Sequence, residues 1–367
     1  MRLIVTGGGT GGHLFPALAV ASAIRERCPN GEVLFIGTSR QIDNQVLGEE
    51  NFRREVITFS GIKGLGLGGV LHAATRFPVA LGQSFSILRN FRPDLVFGVG
   101  GYVTVPVLLA ARLLRIPICI HEQNSVPGLA NRVGGRLARK ICISLPCQPP
   151  FAEAKTVLTG NPIRRSILAA ARTKRRLADG VRTLLVLGGS QGARRINELV
   201  PAALHELKLQ VPDMPEIRVI HQTGPADANR VRTEYERMGI EAQVRDFFRD
   251  MDRVYSLADM VISRAGATTL AELAVMGLPA ILIPYPHAAD DHQTTNGRYY
   301  ERGGGAVVVE EAALDGQKLG TLLRKLLADP KNIQIMAMAM RALGRPDATD
   351  MIVNICLGLA GQERRDV

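Results

Sequence analysis

The chain has 367 residues, 46% of them apolar and 22% charged, a globular composition far from that of a disordered protein. A formal net charge of +11 calls for an acidic partner or surface, such as anionic lipid or a phosphorylated substrate. With aromatics at 5%, no tryptophan and no RNA-binding or helix-turn-helix signature, nucleic acid is the weakest candidate. The length exceeds the roughly 250–300 residues that one hydrophobic core supports, so two domains are expected. No stretch reaches the roughly 20 apolar residues of a membrane span. The best one, Val103 to Ile120, carries Arg112 and Arg115 and reads as a helix, a turn at Pro117 and a buried strand. The N-terminus begins directly with a strand, so the expectation is a cytoplasmic protein without a signal peptide. The five cysteines include no C-x-x-C pair, and Cys119 and Cys142 sit in apolar runs where a thiol behaves as a small buried hydrophobe.

The chain opens with an apolar run of strand length, then a turn of five glycines from Gly7 to Gly12, then His13, Pro16 and an Ala/Leu/Val helix predicted to start near Leu14. Glycines permit positive φ and close approach of a ligand, and the following helix aims its free N–H groups at the turn. That is an anion-receiving geometry. Gly7-x-Gly9-x-x-Gly12 matches the dinucleotide fingerprint. The fingerprint also needs an acidic residue at the end of the second strand, which here ends Phe35-Ile-Gly37-Thr-Ser39. His13 stands where a P-loop lysine would be, which sets that motif aside too.

Strands are predicted at Arg2–Thr6, Val33–Ile36, Glu55–Thr58, Leu95–Val99, Ile118–His121 and Ile141–Ser144, with helical patterns between them. This is the βαβ rhythm of a covered parallel sheet. Leu95 to Pro106 forms another strand, glycine turn and helix unit. The polar tetrad His121-Glu122-Gln123-Asn124 follows directly on a buried strand, and Glu122 and His13 are the candidates for a general base. A structural Glu122 is the competing reading. The proline-rich stretch Leu145–Phe151 is irregular, a short strand follows at Thr156–Leu158, and the interdomain linker is placed around residues 159–166.

The opening pattern then returns, as strand, the glycine turn Gly188-Gly-Ser-Gln-Gly192, and helix. Further strands are predicted at Ile217–His221, Ala242–Asp246, Met260–Ser263, Ala280–Pro284 and Ala306–Val309. Two doubly wound domains result, each with ligands expected beyond the carboxyl ends of its strands. Asp250-Met-Asp252 is a literal D-x-D, but it opens an amphipathic stretch and is read as helix capping. In Ser263 to Glu272, small residues keep a helix N-terminus open to an anion, so Ala267, Thr268 and Thr269 suit a diphosphate. Glu272 lies one turn further in and is placed to accept from two vicinal ribose hydroxyls; the alternative is a capping box with a solvated Glu272. Pro284 to Asn296 is read as a polar loop in which His287, His292 and Asp290/Asp291 have no metal-ligand spacing, while Gln293 suits a sugar. Pro346–Leu359 is a last amphipathic helix, capped by Asp347 or Thr349.

Taken in order, Gly7–Pro16, Gly98–Tyr102, His121–Asn124, Gly160–Arg164, Gly188–Ala193, His221–Gly224, Ser263–Glu272 and Gln293–Asn296 resemble the MurG family, the peptidoglycan N-acetylglucosaminyltransferases. The resemblance implies an α/β GT-B fold, two doubly wound Rossmann-like domains facing across a cleft. It implies inverting transfer of GlcNAc from UDP-GlcNAc to undecaprenyl-pyrophosphoryl-MurNAc-pentapeptide, with no metal and no cofactor. Its domain plan is residues 1–162 facing acceptor and membrane, 163–345 binding UDP-GlcNAc, and 346–367 packing back on the N-terminal domain.

Carried over by position, Glu272 holds the uridine ribose, Ala267 to Leu270 (Ala267, Thr268, Thr269, Leu270) face the diphosphate, and the backbone of Phe248 meets the uracil. Arg164 and Ser190 complete the nucleotide end. Asn124, Gln293 and the Thr10-Gly11-Gly12 turn approach the donor sugar, and that turn also receives the acceptor's pyrophosphate. The resemblance further implies a peripheral protein on the cytoplasmic face of the inner membrane, acting with cell-wall synthesis proteins in cell shape and division. Two departures are local: the family's isoleucine-type uracil contact falls on Phe248, and one extra residue in Pro286–Gln293 leaves His292 competing with Gln293. Leu65, Leu67, Val70 and Leu71, among bases including Arg76, Arg89 and Arg92, are the membrane candidates. Phe77, Leu81, Phe85 and Leu88 read mostly as a helix-to-core stripe. A UDP-GlcNAc 2-epimerase and a sugar-nucleotide-binding regulator are the alternative functions.

Overall fold

In the computed structural model the apolar runs form parallel strands. The structure describes residues 1–8, 11–38, 47–48, 50–59, 67–173, 181–189, 192–210 and 216–362. Among them the chain divides into two compact units, Met1–Arg164 with Asp347–Val367, and Arg165–Pro346.

The first unit holds β1 (Arg2–Thr6), β2 (Glu32–Gly37), β3 (Arg53–Val56), β4 (Leu95–Gly98), β5 (Ile118–Glu122), β6 (Lys140–Ile143) and β7 (Thr156–Leu158). Their spatial order is β3-β2-β1-β4-β5-β6-β7. The central strands β1, β4, β5 and β6 are covered on both faces and read as apolar runs. The edge strand β3 lies at Arg53–Val56, not the predicted Glu55–Thr58, and is exposed throughout. Leu3, Val5, Leu95, Phe97, Cys119 and Cys142 pack under the helices Gly11–Arg27 and Ala348–Gln362. Ile4, Val96, Ile118, Ile120 and Ile141 face the opposite way, toward the helices Leu67–Phe91 and Thr104–Leu113. The C-terminal helix is fixed to this unit by Ile352, Val353, Cys356 and Leu359 in the core. At the surface Arg27 donates to Asn354 Oδ1 and Asp350 Oδ1, both at 2.6 Å.

The second unit holds β8 (Val181–Leu187), β9 (Glu216–Gln222), β10 (Ala242–Arg245), β11 (Met260–Ser263), β12 (Ala280–Leu282) and β13 (Ala306–Val308), in the order β10-β9-β8-β11-β12-β13. Both sheets therefore reverse direction beside their first strand, between β1 and β4 and between β8 and β11. That is where an open α/β sheet places its ligand crevice, beyond the strands' carboxyl ends.

Several local expectations are corrected. The first helix begins at Gly11, not near Leu14, because Gly7 and Gly8 at φ 143° and 133° have already turned the chain. Pro16 is then the sixth residue of that helix, and His13 lies in its first turn. Glu122 is the last residue of β5, paired in register with Ile143, rather than the start of a loop. The stretch before Asn296 is not all loop: Asp290 and Asp291, at φ 55° and 50°, make a tight turn, and a helix starts at His292. Asp250 occupies an N-cap position but makes no side-chain cap bond; its carboxylate lies 3.9 Å from Arg245 instead. Thr349 does not cap the last helix, since its hydroxyl is buried without a partner.

No helix among the described residues is long and apolar enough to cross a membrane. The five cysteines are free thiols, with Cys119 and Cys142 buried 3.8 Å apart. Of the stripe on the Leu67–Phe91 helix, Leu88 is buried, Leu81 and Phe85 pack on the core, and Phe77 meets Phe59 edge-on at 5.8 Å. Leu65 and the side chains of Leu67, Val70 and Leu71 lie outside the described residues.

Candidate functional site

In the first unit the ends of β1, β4 and β5 converge at backbone distance. A Cβ on Gly7 would stand 2.3 Å from Val99 Cγ2 and 2.7 Å from the Gly100 carbonyl, so only glycine fits there. Gly100, at φ +100°, is overlain by side chains: a Cβ there would lie 3.2 Å from His13 Nε2 and 3.3 Å from Asn131 Nδ2. His13 and Asn131 thus sit side by side over the second glycine turn.

Asn131 connects that pair to Glu122. The Glu122 carboxylate is 1% exposed and accepts four hydrogen bonds. Oε1 takes the Asn124 N–H at 2.9 Å and Asn124 Nδ2 at 3.3 Å; Oε2 takes the Gly128 N–H at 3.1 Å and Asn131 Nδ2 at 2.8 Å. Burial raises its pKa, and these hydrogen bonds oppose the rise. Asn131 also donates to the His121 carbonyl at 3.1 Å. The carboxylate therefore orders the segment from Asn124 to Asn131.

The neighbouring His121 is fully buried, and burial lowers its pKa to about 4. Gln123 Nε2 donates to its Nδ1 at 3.0 Å, which leaves Nε2–H to donate to the Gly160 carbonyl at 3.1 Å. A ring held neutral between those partners is a brace for the strand end. Arg164 closes the unit with its guanidinium 4.9 Å over the Phe15 ring. Gly11 and Gly12 lie in the first turn of the helix that carries His13. Thr10 lies outside the described residues.

In the second unit, Gly189 and Gly192 both take φ +79°, and a Cβ on Gly192 would stand 2.2 Å from the Thr223 carbonyl. Ser190, between them, lies outside the described residues. Gln222 joins this turn to the Phe248 backbone: its Nε2 donates to the Gly189 carbonyl at 3.1 Å and its Oε1 accepts the Phe248 N–H at 3.0 Å. Phe248 is 1% exposed, and its N–H is engaged by Gln222. Behind the turn, His221 bonds Tyr235 at 2.9 Å and Asn197 Oδ1 at 3.1 Å, and burial lowers its pKa to about 3.

Beyond β11 the helix Ala267–Met276 starts from Gly266, which offers no side-chain cap. The first-turn amides of Ala267, Thr268 and Thr269 therefore have no side chain of the N-cap residue to satisfy them, while Leu270 N–H closes on the Gly266 carbonyl at 3.0 Å. Glu272 is not solvated, as a capping-box reading requires; it is 4% exposed, and its Oε2 accepts the Tyr255 hydroxyl at 2.9 Å. Gln293 Oε1 accepts the N–H groups of Ala265 at 3.2 Å and Tyr285 at 3.0 Å, tying together the ends of β11 and β12. That leaves its amide nitrogen as the donor end. His292 Nδ1 bonds the Ala289 carbonyl of its own turn at 2.7 Å. Arg264 holds the same loop through the Ile283 and Pro284 carbonyls, both at 3.1 Å, and pairs with Glu311 at 2.6 Å.

Among the described residues, the sequence-predicted positions thus gather into two sets: His13, Gly11, Gly12, Glu122, Asn124 and Arg164 in the first unit, and Phe248, Ala267 to Leu270, Glu272 and Gln293 in the second. Asn131 and Tyr255 were missed, and Gln222 entered only within the His221–Gly224 segment with no role of its own; each is a polar residue whose partners are set by the fold.

A protein from Desulfotalea psychrophila, a UDP-N-acetylglucosamine–N-acetylmuramyl-(pentapeptide) pyrophosphoryl-undecaprenol N-acetylglucosamine transferase, is 45% identical over 363 residues, 99% of this chain and 98% of its own. A transferase of the same name from Geobacter metallireducens is 44% identical over 358 residues, 96% of this chain and 97% of its own. The crystal structure of Acinetobacter baumannii MurG has a TM-score of 0.79 at 31% identity, covering 97% of this chain and 99% of that one.

Residues 3–143 match the glycosyltransferase family 28 N-terminal domain and residues 183–352 its C-terminal domain. With one doubly wound sheet in each, the class is a glycosyltransferase of the GT-B fold. Within that class, the identity over nearly the full length places the chain in the MurG family.

Proposed function

We propose that this chain transfers GlcNAc from UDP-GlcNAc to undecaprenyl-pyrophosphoryl-MurNAc-pentapeptide, forming a β-1,4 bond with inversion. The observation that carries the reading is the helix Ala267–Met276, with no side-chain cap and with Glu272 buried one turn in. Amides and helix dipole meet the diphosphate and stabilise it as it departs. The carboxylate accepts from the ribose hydroxyls. Gln293, held by its oxygen, presents its amide N–H to the sugar, and the Phe248 carbonyl meets the uracil.

In the first unit the glycine turns and the start of the Gly11–Arg27 helix suit the acceptor's pyrophosphate. His13 is the base that takes the proton of the attacking MurNAc hydroxyl. Glu122 is the weaker candidate, because all four of its hydrogen bonds already hold the loop that seats Asn124 and Asn131. Inversion is one in-line displacement, so one base suffices and no carboxylate nucleophile is needed. The lipid acceptor and the net charge of +11 support a peripheral place on the cytoplasmic face of the membrane.

The test is a radiolabelled UDP-GlcNAc assay with a short-chain lipid-linked muramoyl acceptor. A labelled disaccharide formed only with the acceptor supports the reading. Conversion of UDP-GlcNAc to UDP-ManNAc without acceptor would make the protein an epimerase, and binding with neither product would make it a regulator.

A further inference from the structure

Tyr255 is 1% exposed, on the Met251–Leu257 helix, with Met251 and Val254 buried beside it. A buried phenol needs a partner for its O–H. It finds one on another helix, in Glu272 Oε2 at 2.9 Å. Glu272 is itself 4% exposed and points from the second turn of the Ala267–Met276 helix. A carboxylate has about four acceptor positions, so the bond from Tyr255 orients the group while taking only one of them. A glutamate side chain loses considerable rotamer freedom when it is ordered, and a fixed partner bears that cost before the ligand arrives.

We infer that Tyr255 is a positioning residue for the donor nucleoside: its hydroxyl sets the Glu272 carboxylate so that a ribose with both hydroxyls is preferred over a deoxyribose. This rests on the reading of Glu272 as the ribose contact. A site built to hydrogen-bond a hydroxyl rejects the analogue lacking it, because its own polar groups are then left unpaired. Tyr255 therefore governs discrimination at the sugar hydroxyls and not affinity for the diphosphate.

The experiment is calorimetric titration of UDP and 2′-deoxy-UDP into the full chain, as wild type, Tyr255→Phe and Glu272→Gln, with a thermal melt of each. Wild type is expected to favour UDP by about tenfold or more, a modest value for a lost hydrogen bond at a polar site. In Tyr255→Phe the UDP affinity falls about fivefold or more while 2′-deoxy-UDP changes about twofold at most, so the preference shrinks. If Tyr255→Phe weakens both ligands equally, or changes neither, while Glu272→Gln abolishes the preference, the positioning role is overturned and the donor-site reading stands. If Glu272→Gln keeps the full wild-type preference, or wild type shows none, Glu272 does not read the ribose and both fall.

Discussion

Glu122→Gln separates a base from a scaffold. In the wild type each carboxylate oxygen accepts two N–H groups, one pair from Asn124 and the other from Gly128 and Asn131. An amide in the same place keeps one acceptor oxygen and turns an NH2 toward the other pair, leaving two donors, in buried or partly buried hydrogen bonds, without their acceptor. At about 1–3 kcal/mol for each unsatisfied group, the loss is about 2–6 kcal/mol. Burial raises the Glu122 pKa, so the neutral amide recovers part of the cost of burying a charge, and the lower half of that range, about 2–4 kcal/mol, is expected. In a unit of this size each kcal/mol moves Tm by about 2–4 °C, so the first unit should melt about 5–15 °C lower. Calorimetry together with the transferase assay gives both numbers. A Tm within about 1 °C of wild type with kcat reduced by about 10³-fold would mean that Glu122 is the base, and the assignment to His13 would fail.

Four further outcomes are expected. His13→Ala should lower kcat by about 10²–10⁴-fold with Tm and UDP affinity nearly unchanged, and comparable activity would remove it as the base. Gly192→Ala places a Cβ 2.2 Å from the Thr223 carbonyl at φ +79°, so it should cost about 2 kcal/mol or more in the melt of the second unit and weaken UDP binding; a neutral outcome contradicts the packing of that turn. His121 and His221 are buried with pKa values lowered from 6.5 to about 4 and about 3, so the unfolded chain binds protons that the folded chain does not. Stability should be level above about pH 7 and fall as pH drops from about 6.5 toward 4, and a Tm flat down to pH 5 refutes this. Anionic vesicles should sediment the protein at low salt and release it at high salt; unchanged sedimentation removes the membrane surface as a partner.

Much of the fold was legible because buried parallel strands are continuous apolar runs followed by glycine-containing turns. Leu95–Gly98 and Met260–Ser263 announce both their length and the turn that follows. Helix starts were harder. Pro16 suggested a first turn at Leu14, yet Gly11 and Gly12 are already helical, and that shift places His13 beside Gly100. The side chains that organise the site were not legible at all. Asn131 meets Glu122 nine residues away, Gln222 spans from Gly189 to Phe248, and Tyr255 crosses to Glu272. Each is a single polar residue with no periodic signal, and on the Met251–Leu257 helix Tyr255 reads as one more apolar contact.

The donor end of the second unit is tested most directly by Glu272→Ala. In the acceptor-dependent radiolabel assay, removing the buried carboxylate proposed to accept the ribose hydroxyls should raise KM for UDP-GlcNAc by about tenfold or more, at about 1.5–3 kcal/mol for each hydrogen bond to a charged group. Full wild-type activity in that variant would contradict the placement of the nucleotide at this helix.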